Sequence, residues 1–300
     1  MNENLRKHME DEHTENTGEG GVPLEAIQAV DPAVLEKLPP GSEIMGISAH
    51  GASFWTRTAR LDTILDGAKQ SYFLKTSFGE LGNTMMSSEY HCMNKIHAVM
   101  PDLVPKTIAW GSYSSIPDVH FFLADFRPMT DELPDIEAFP AKMAELHRSA
   151  TSPNGRFGFD VTTFHGETPI EHGWSDTWED YFSRTTKVLF ELEQDAQGAN
   201  EEIRELMVPF FNELAVWRQP WNKIGKPYRM QYHEHFPMSQ PQGDYDDRNA
   251  LYATRVNILD SILYKENPSY REMLISSMKE LVGKFPGGLE EWKSAQIDRL

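Results

Sequence analysis

Leu146-His147-Arg148-Ser149-Ala150-Thr151-Ser152-Pro153-Asn154-Gly155-Arg156-Phe157-Gly158-Phe159 is the stretch on which the reading of this chain turns. It follows a run with helical spacing over 136–146. Ser152-Pro153-Asn154-Gly155 is turn chemistry, because proline presets φ and Asn-Gly accepts positive φ. Phe157 and Phe159 flank Gly158, so two aromatic anchors bracket a flexible backbone point. A loop this aromatic and glycine-rich is held against something rather than left in water. Residue types alone leave two readings open, a structural turn beneath a helix and a functional loop.

Around this stretch, 300 residues suit one two-lobed domain or two small ones. The net charge of −18 argues against nucleic acid and against anionic membranes, since both repel a polyanion. No run of 18 apolar residues occurs, so no transmembrane helix is expected. Residues 1–21 are polar and acidic without an apolar core, which predicts a disordered tail and not a secretory signal. Cys92 stands alone, so no internal disulfide or cysteine metal site is expected, and a reducing, cytoplasmic setting is the simplest one. His91, His97, His233 and His235 lack convergent partners by spacing, nothing else converges on His8 and His13, and no metal-binding residues are identified.

Working toward the N-terminus, 119–126 is a near-continuous apolar strand and therefore central. Residues 83–100 form a helix with Met86, Tyr90, Met93, Ile96 and Met100 on one face and Asn83 or Thr84 as cap. Residues 54–63 and 71–76 read as strands joined by the hairpin signal Asp66-Gly67. Lys75 lies mid-strand between Leu74 and Thr76, a poor place for an ammonium without a partner. Glu89 falls on or beside the apolar face of the following helix, where an unpaired carboxylate is costly. Residues 44–55, with His50, Gly51 and Ser53, read as strand, tight turn, strand. Such a turn offers backbone N–H groups and small side chains to phosphate oxygens, although most turns of this kind bind nothing. Residues 22–38 read as one helix stopped by Pro39-Pro40-Gly41.

Toward the C-terminus the chain is helical. Trp178, Phe182, Val188-Leu189-Phe190 and Leu192 form an apolar set. Residues 201–211, a helix begun at Asp246-Asp247, and a last helix carrying Tyr270, Leu274, Met278 and Leu281 come after it.

His147-Arg148-x-Ala150-x-Ser152-Pro153-Asn154-Gly155-Arg156-Phe157-Gly158-Phe159, Thr162-Thr163-Phe164-His165-Gly166 and Trp174-x3-Trp178-Glu179-x2-Phe182, in that order, resemble the fructosamine kinase (ketosamine 3-kinase, or protein-ribulosamine 3-kinase) family. That family belongs to the aminoglycoside-phosphotransferase branch of kinase-like folds, and the likeness extends over about 41–287. The resemblance implies an α+β, two-lobed kinase-like fold. An ATP-binding lobe over 22–126 would hold an antiparallel sheet and one helix, and a mostly helical, incomplete lobe would run over 127–300. It implies ATP and Mg2+ as cofactors, and fructosamines or ribulosamines on glycated amines or glycated proteins as acceptors, phosphorylated at O3′. For ATP it implies His50, Gly51, Ser53, the Lys75–Glu89 pair, and a hinge at Asp125 and Phe126 where adenine docks. For the acceptor lobe it implies His147, Ser152, Asn154 and Trp217.

One part of the pattern is missing. The family draws its base and metal ligands from a His-Gly-Asp-x4-Asn loop and a later aspartate. The residues before 211–215 resemble the helix entering that segment, and Ala215 to Pro220 onward resembles the family's sequence beyond it. The chain therefore reads as a family member with an internal deletion near 211–215, so a form without catalysis, a pseudokinase, is the alternative. Gly243-Asp244-x4-Asn249 mimics the spacing, with Asp244 as base and Asn249 on metal, but its neighbours match the start of a C-terminal helix. His165-Gly166-Glu167 is a second near-match, expected in an acceptor-lobe loop.

Overall fold

A computed structural model of the protein describes residues 21–51, 53–210, 224–240 and 242–284. They form two compact units. The first runs to Leu133 and takes back Val161–Glu171; the second holds Pro134–Asp160 and the chain from His172 on. The disorder expected for 1–21 concerns, but for Gly21, positions outside the described residues, as does the proposed junction at 211–215.

The first unit is built on an antiparallel sheet. After a short 3-10 turn (Leu24–Ile27) and a one-turn helix α1 (Pro32–Leu35) come β1 (Glu43–Ala49), β2 (Arg57–Leu65) and β3 (Ala68–Phe78). Helix α2 (Gly79–Val99), β4 (Thr107–Ser112) and β5 (Val119–Asp125) come next, and the sheet order is β1-β2-β3-β5-β4. Leu65 pairs with Ala68, leaving Asp66 (φ 52°) and Gly67 (φ 77°) as a two-residue turn, as the Asp-Gly signal predicts. β5 lies between β3 and β4, and Val119, Phe121, Phe122, Leu123 and Ala124 are each no more than 2% exposed. Both its faces are covered, which is why its apolar run is unbroken rather than alternating.

Side chains alternate across the sheet. Ala59, Leu61, Tyr72, Leu74, Phe121 and Leu123 face a layer formed by Val22, Ala26, Ile27, Val34 and Leu38. Phe73, Phe122 and Ala124 face Met85 and Met86 of α2, joined by Tyr90, Met93 and Phe164. Two expectations need correction. Residues 22–38 are not one helix: Pro32 supplies no N–H and holds Asp31 extended (φ −65°, ψ 142°), so the chain breaks there and restarts with Asp31 as N-cap to Ala33 N at 2.8 Å. Helix α2 begins at Gly79, a turn before Asn83, and without a side-chain cap.

The Asp31 carboxylate also anchors this layer to the sheet. Its oxygens accept from Ser114 N (2.9 Å), Ser114 Oγ (3.0 Å), Ser115 N (2.9 Å) and Ser115 Oγ. Burial pushes its pKa up, but these hydrogen bonds prevail and hold it below the usual carboxylate value.

The second unit contains α3 (Ala138–Ser149) and a strand pair, β6 (Phe157–Phe159) with β9 (Gly173–Ser175), and is otherwise mostly helical. The hairpin β7 (Thr163–His165) and β8 (Thr168–Ile170) lies between them in sequence but belongs to the first unit, where Ser88 Oγ of α2 donates to Thr162 O at 2.5 Å. His165-Gly166-Glu167 is thus a hairpin turn of the first unit, not an acceptor-lobe loop. Helices α4 (Trp178–Gln197), α5 (Glu201–Phe210), α6 (Lys226–His235), α7 (Tyr245–Leu263) and α8 (Pro268–Lys284) complete the unit. Glu193 of α4, fully buried, meets Arg271 Nε of α8 at 2.9 Å and accepts from Ser261 Oγ of α7 at 3.0 Å. Three helices therefore share one buried ion pair.

Candidate nucleotide site

Lys75 lies on the α2 side of β3, opposite Phe122 of β5 and Thr58 of β2. On α2, Glu89 comes four and three positions after Met85 and Met86, which places it one turn further along the face turned to the sheet. Lys75 Nζ reaches Glu89 Oε2 at 2.7 Å. The side chains retain 24% and 32% of their exposure. A pair this open is worth at most about 1 kcal/mol in stability. That small gain does not account for a lysine in the middle of a core strand. What the pair achieves is position: it holds one ammonium at a defined point beside the sheet.

The turn after β1 is tied to β2. His50 N donates to Thr58 O at 3.0 Å, and Thr58 Oγ1 donates back to His50 O. Gly51 has φ +79°, a conformation that L side chains resist. Ser53 Oγ accepts from Trp55 N (3.3 Å) and from Thr56 Oγ1 (2.9 Å), and keeps its own proton to donate. The His50 ring stands edge-on to Phe126 at 4.8 Å. Phe126 comes directly after β5, and its N–H donates to Ser71 O at 3.0 Å. Asp125 ends β5 opposite Tyr72, and its N–H donates to Lys106 O at 2.8 Å.

The structure thus joins His50 to Phe126 and Lys75 to Glu89 within one unit. Sequence reasoning missed Arg60, whose guanidinium lies 4.8 Å over the Phe126 ring. Arg60 Nε pairs with Asp62 at 2.8 Å, and Ser71 Oγ donates to the same carboxylate at 2.6 Å. The Ser71 hydrogen bond first, and Arg60 after it, hold Asp62 below the usual carboxylate value. The available signal was Arg60-x-Asp62 with the same parity on one strand, opposite a serine.

The residues expected in the acceptor lobe lie in the second unit. His147 Nδ1 is 2.9 Å from Tyr232 Oη, and burial lowers its pKa. Ser152 Oγ bonds to Asn154 Oδ1 (3.1 Å) and to Arg156 O (2.7 Å), so the Ser-Pro-Asn-Gly turn is closed by its own side chains. Trp217 lies outside the described residues. Asp244 belongs to a 3-10 turn (Gln242–Asp244), whereas Asn249 lies inside α7, 5% exposed. Asn249 thus lies on a helix and not in a loop. Among the described residues no three His, Cys, Asp or Glu side chains gather to hold a metal ion.

The model of the fructosamine kinase family matches residues 56–220, more than half of the chain. The chain belongs to the fructosamine kinase family. This match is narrower than the span of about 41–287 suggested by motif order. The chloroplastic protein-ribulosamine 3-kinases of Oryza sativa subsp. indica and subsp. japonica are each 28% identical to it over 123 residues, 41% of this chain. The match takes in 34% of their length, so the chain matches about a third of these curated relatives. A fructosamine-3-kinase candidate from Thermobifida fusca YX-ER1 aligns with a TM-score of 0.64 at 14% identity, covering 86% of this chain and 99% of its own. Another from Haemophilus somnus 129PT gives 0.62 at 13%, covering 80% and 92%. At such identities these likenesses speak for the fold: the α+β, two-lobed kinase-like architecture expected from the motifs. No helix among the described residues is long and apolar enough to cross a membrane.

Proposed function

We propose that this family member binds ATP in its first unit and directs it to ketosamines, fructosamines or ribulosamines on glycated lysines. The Lys75–Glu89 contact of 2.7 Å carries the reading. An ammonium fixed between strand and helix is a ready partner for phosphate oxygens. The His50–Ser53 turn would cover the phosphates, and the strand end at Asp125 and Phe126 would receive adenine. His147, Ser152 and Asn154 would serve the acceptor, with Trp217 assigned to it by the family resemblance alone. Phosphoryl transfer to O3′ of the sugar would yield a product that decomposes to release the amine, a deglycation. The family membership and the partial match to ribulosamine 3-kinases support this acceptor class.

A second reading rests on one observation of the sequence. The 300 residues contain His-Gly three times, before Ala52, Glu167 and Trp174, and never His-Gly-Asp. Without a carboxylate to orient the acceptor hydroxyl, nucleotide or glycated amine would be held and not turned over. A coupled ADP-release assay with ribuloselysine and fructoselysine separates the two. Turnover above an enzyme-free blank that is lost in Lys75→Ala supports transfer without the family's loop. ATP binding with no turnover supports the second reading. No ATP binding would sink the first reading, and binding of neither ATP nor a glycated amine would sink both.

A further inference from the structure

Away from Lys75, the second unit contains a cation that its own packing leaves unbalanced. Trp178, Tyr181, Phe182 and Thr185 share one face of α4, at spacings of three, four and seven. Tyr252 and Arg255, one turn apart on α7, lie against that face. The Tyr252 ring meets Trp178 at 5.7 Å and Phe182 at 5.3 Å, both edge-on. The Arg255 guanidinium lies 5.6 Å over the Phe182 ring and donates to Thr185 Oγ1 at 3.0 Å. A second guanidinium, that of Arg184, stands 5.9 Å from the Tyr181 ring and donates to Ser175 Oγ at 3.3 Å and to His172 O. Tyr181 Oη hydrogen-bonds His172 Nδ1, and both arginines add to the burial that keeps His172 below its ordinary pKa.

Among the described residues neither guanidinium has a carboxylate partner. The chain has 46 acidic and 28 basic side chains, so carboxylates are not scarce. A partly buried guanidinium has five N–H donors, and the Thr185 and Tyr181 hydroxyls with one aromatic face take up only part of them. The region is rich in donors and walled by aromatic rings. An oxyanion with several acceptor oxygens fits such a fork in a way that water does not.

We propose that the α4–α7 face around Arg255 is an oxyanion site that takes a phosphate group, either free phosphate or the phosphate of a sugar phosphate. Arg255 belongs to the second unit and Lys75 to the first.

The test is a thermal melt of the full chain at constant ionic strength, with sodium phosphate or fructose 6-phosphate against sodium chloride. A saturable rise in Tm of about 3–6 °C is expected at tenfold excess over Kd. Arg255→Gln removes the rise and Lys75→Ala keeps it. Equal response to both probes means free phosphate is the ligand, and a tenfold lower midpoint for fructose 6-phosphate means a sugar phosphate. No rise, a rise kept in Arg255→Gln, or one lost only in Lys75→Ala would overturn the proposal. If Arg255→Gln does not fold, phenylglyoxal labelling of the unmutated chain decides by peptide mass spectrometry. Phosphate protection confined to Arg255 and Arg184 supports the site, and modification of Arg255 at an unchanged rate refutes it.

Discussion

Replacing Lys75 with methionine keeps the aliphatic stem among Phe73 and Phe122 and removes only the ammonium. The ion pair it breaks retains a quarter to a third of its exposure, so the freed Glu89 carboxylate is solvated by water. The expected loss of stability is at most about 1 kcal/mol. The expected loss of nucleotide binding is larger. A hydrogen bond to a charged group contributes about 1.5–3 kcal/mol, and about 1.4 kcal/mol is a factor of ten, so ATP affinity should fall about ten- to 150-fold. Glu89→Gln keeps the ammonium but frees it to wander, and should cost less in affinity than Lys75→Met. Urea unfolding and calorimetric titration with ATP give the two numbers independently. A stability loss above about 2 kcal/mol with unchanged ATP affinity would mean that the pair is structural and that the functional reading of this contact is wrong.

Three further perturbations test the fold around the site. Asp31→Asn should cost about 2–4 kcal/mol, because the carboxylate serves five donors. Since folding depresses the Asp31 pKa below 3.8, its contribution is present above that value and lost as pH falls through the folded one; acid should therefore weaken the parent chain more than Asp31→Asn, read from urea midpoints at pH 5 and pH 3. Burial keeps His120, His147 and His172 below 6.5, so the unfolded chain binds protons first and stability should decline from pH 7 to pH 5; a midpoint unchanged over that range refutes their burial. Gly82→Ala should destabilise although alanine favours a helix by about 1 kcal/mol, because the new Cβ would lie 2.7 Å from the Ser77 carbonyl carbon; a raised Tm would show that α2 and β3 are less tightly apposed.

What could be read from the sequence was whatever repeats locally. The Asp66-Gly67 turn, the unbroken apolar run of β5 and the helix bearing Met86 each announce themselves within about ten residues. Lys75 and Glu89 were legible for a related reason: each is a charge placed against an apolar pattern, and such a misfit needs a partner. The Pro32 break was also visible locally, and the apolar spacing of 22–38 concealed it. Other features had no local signal. Asp31 finds Ser114 and Ser115 more than 80 residues away. The pairs β6–β9 and β7–β8 are three residues per strand, too short for a period of two to register.

Gly158 shows where reasoning from residue type stops. Its neighbours suggested a flexible point between two aromatic anchors. The structure gives a different cause: at φ +152°, a Cβ there would fall 1.8 Å from Gly173 O on the paired strand. Glycine is present because another backbone occupies the space, and flexibility is not what it supplies. The same logic applies to the cations. Lys75 and Arg255 both stand out in a chain with a net charge of −18, but only Lys75 has its carboxylate at 2.7 Å. Two basic side chains therefore stand in opposite electrostatic situations. One cation is positioned by a partner and remains able to meet phosphate oxygens. The other has no such partner among the described residues, and the fold leaves its donors to an anion.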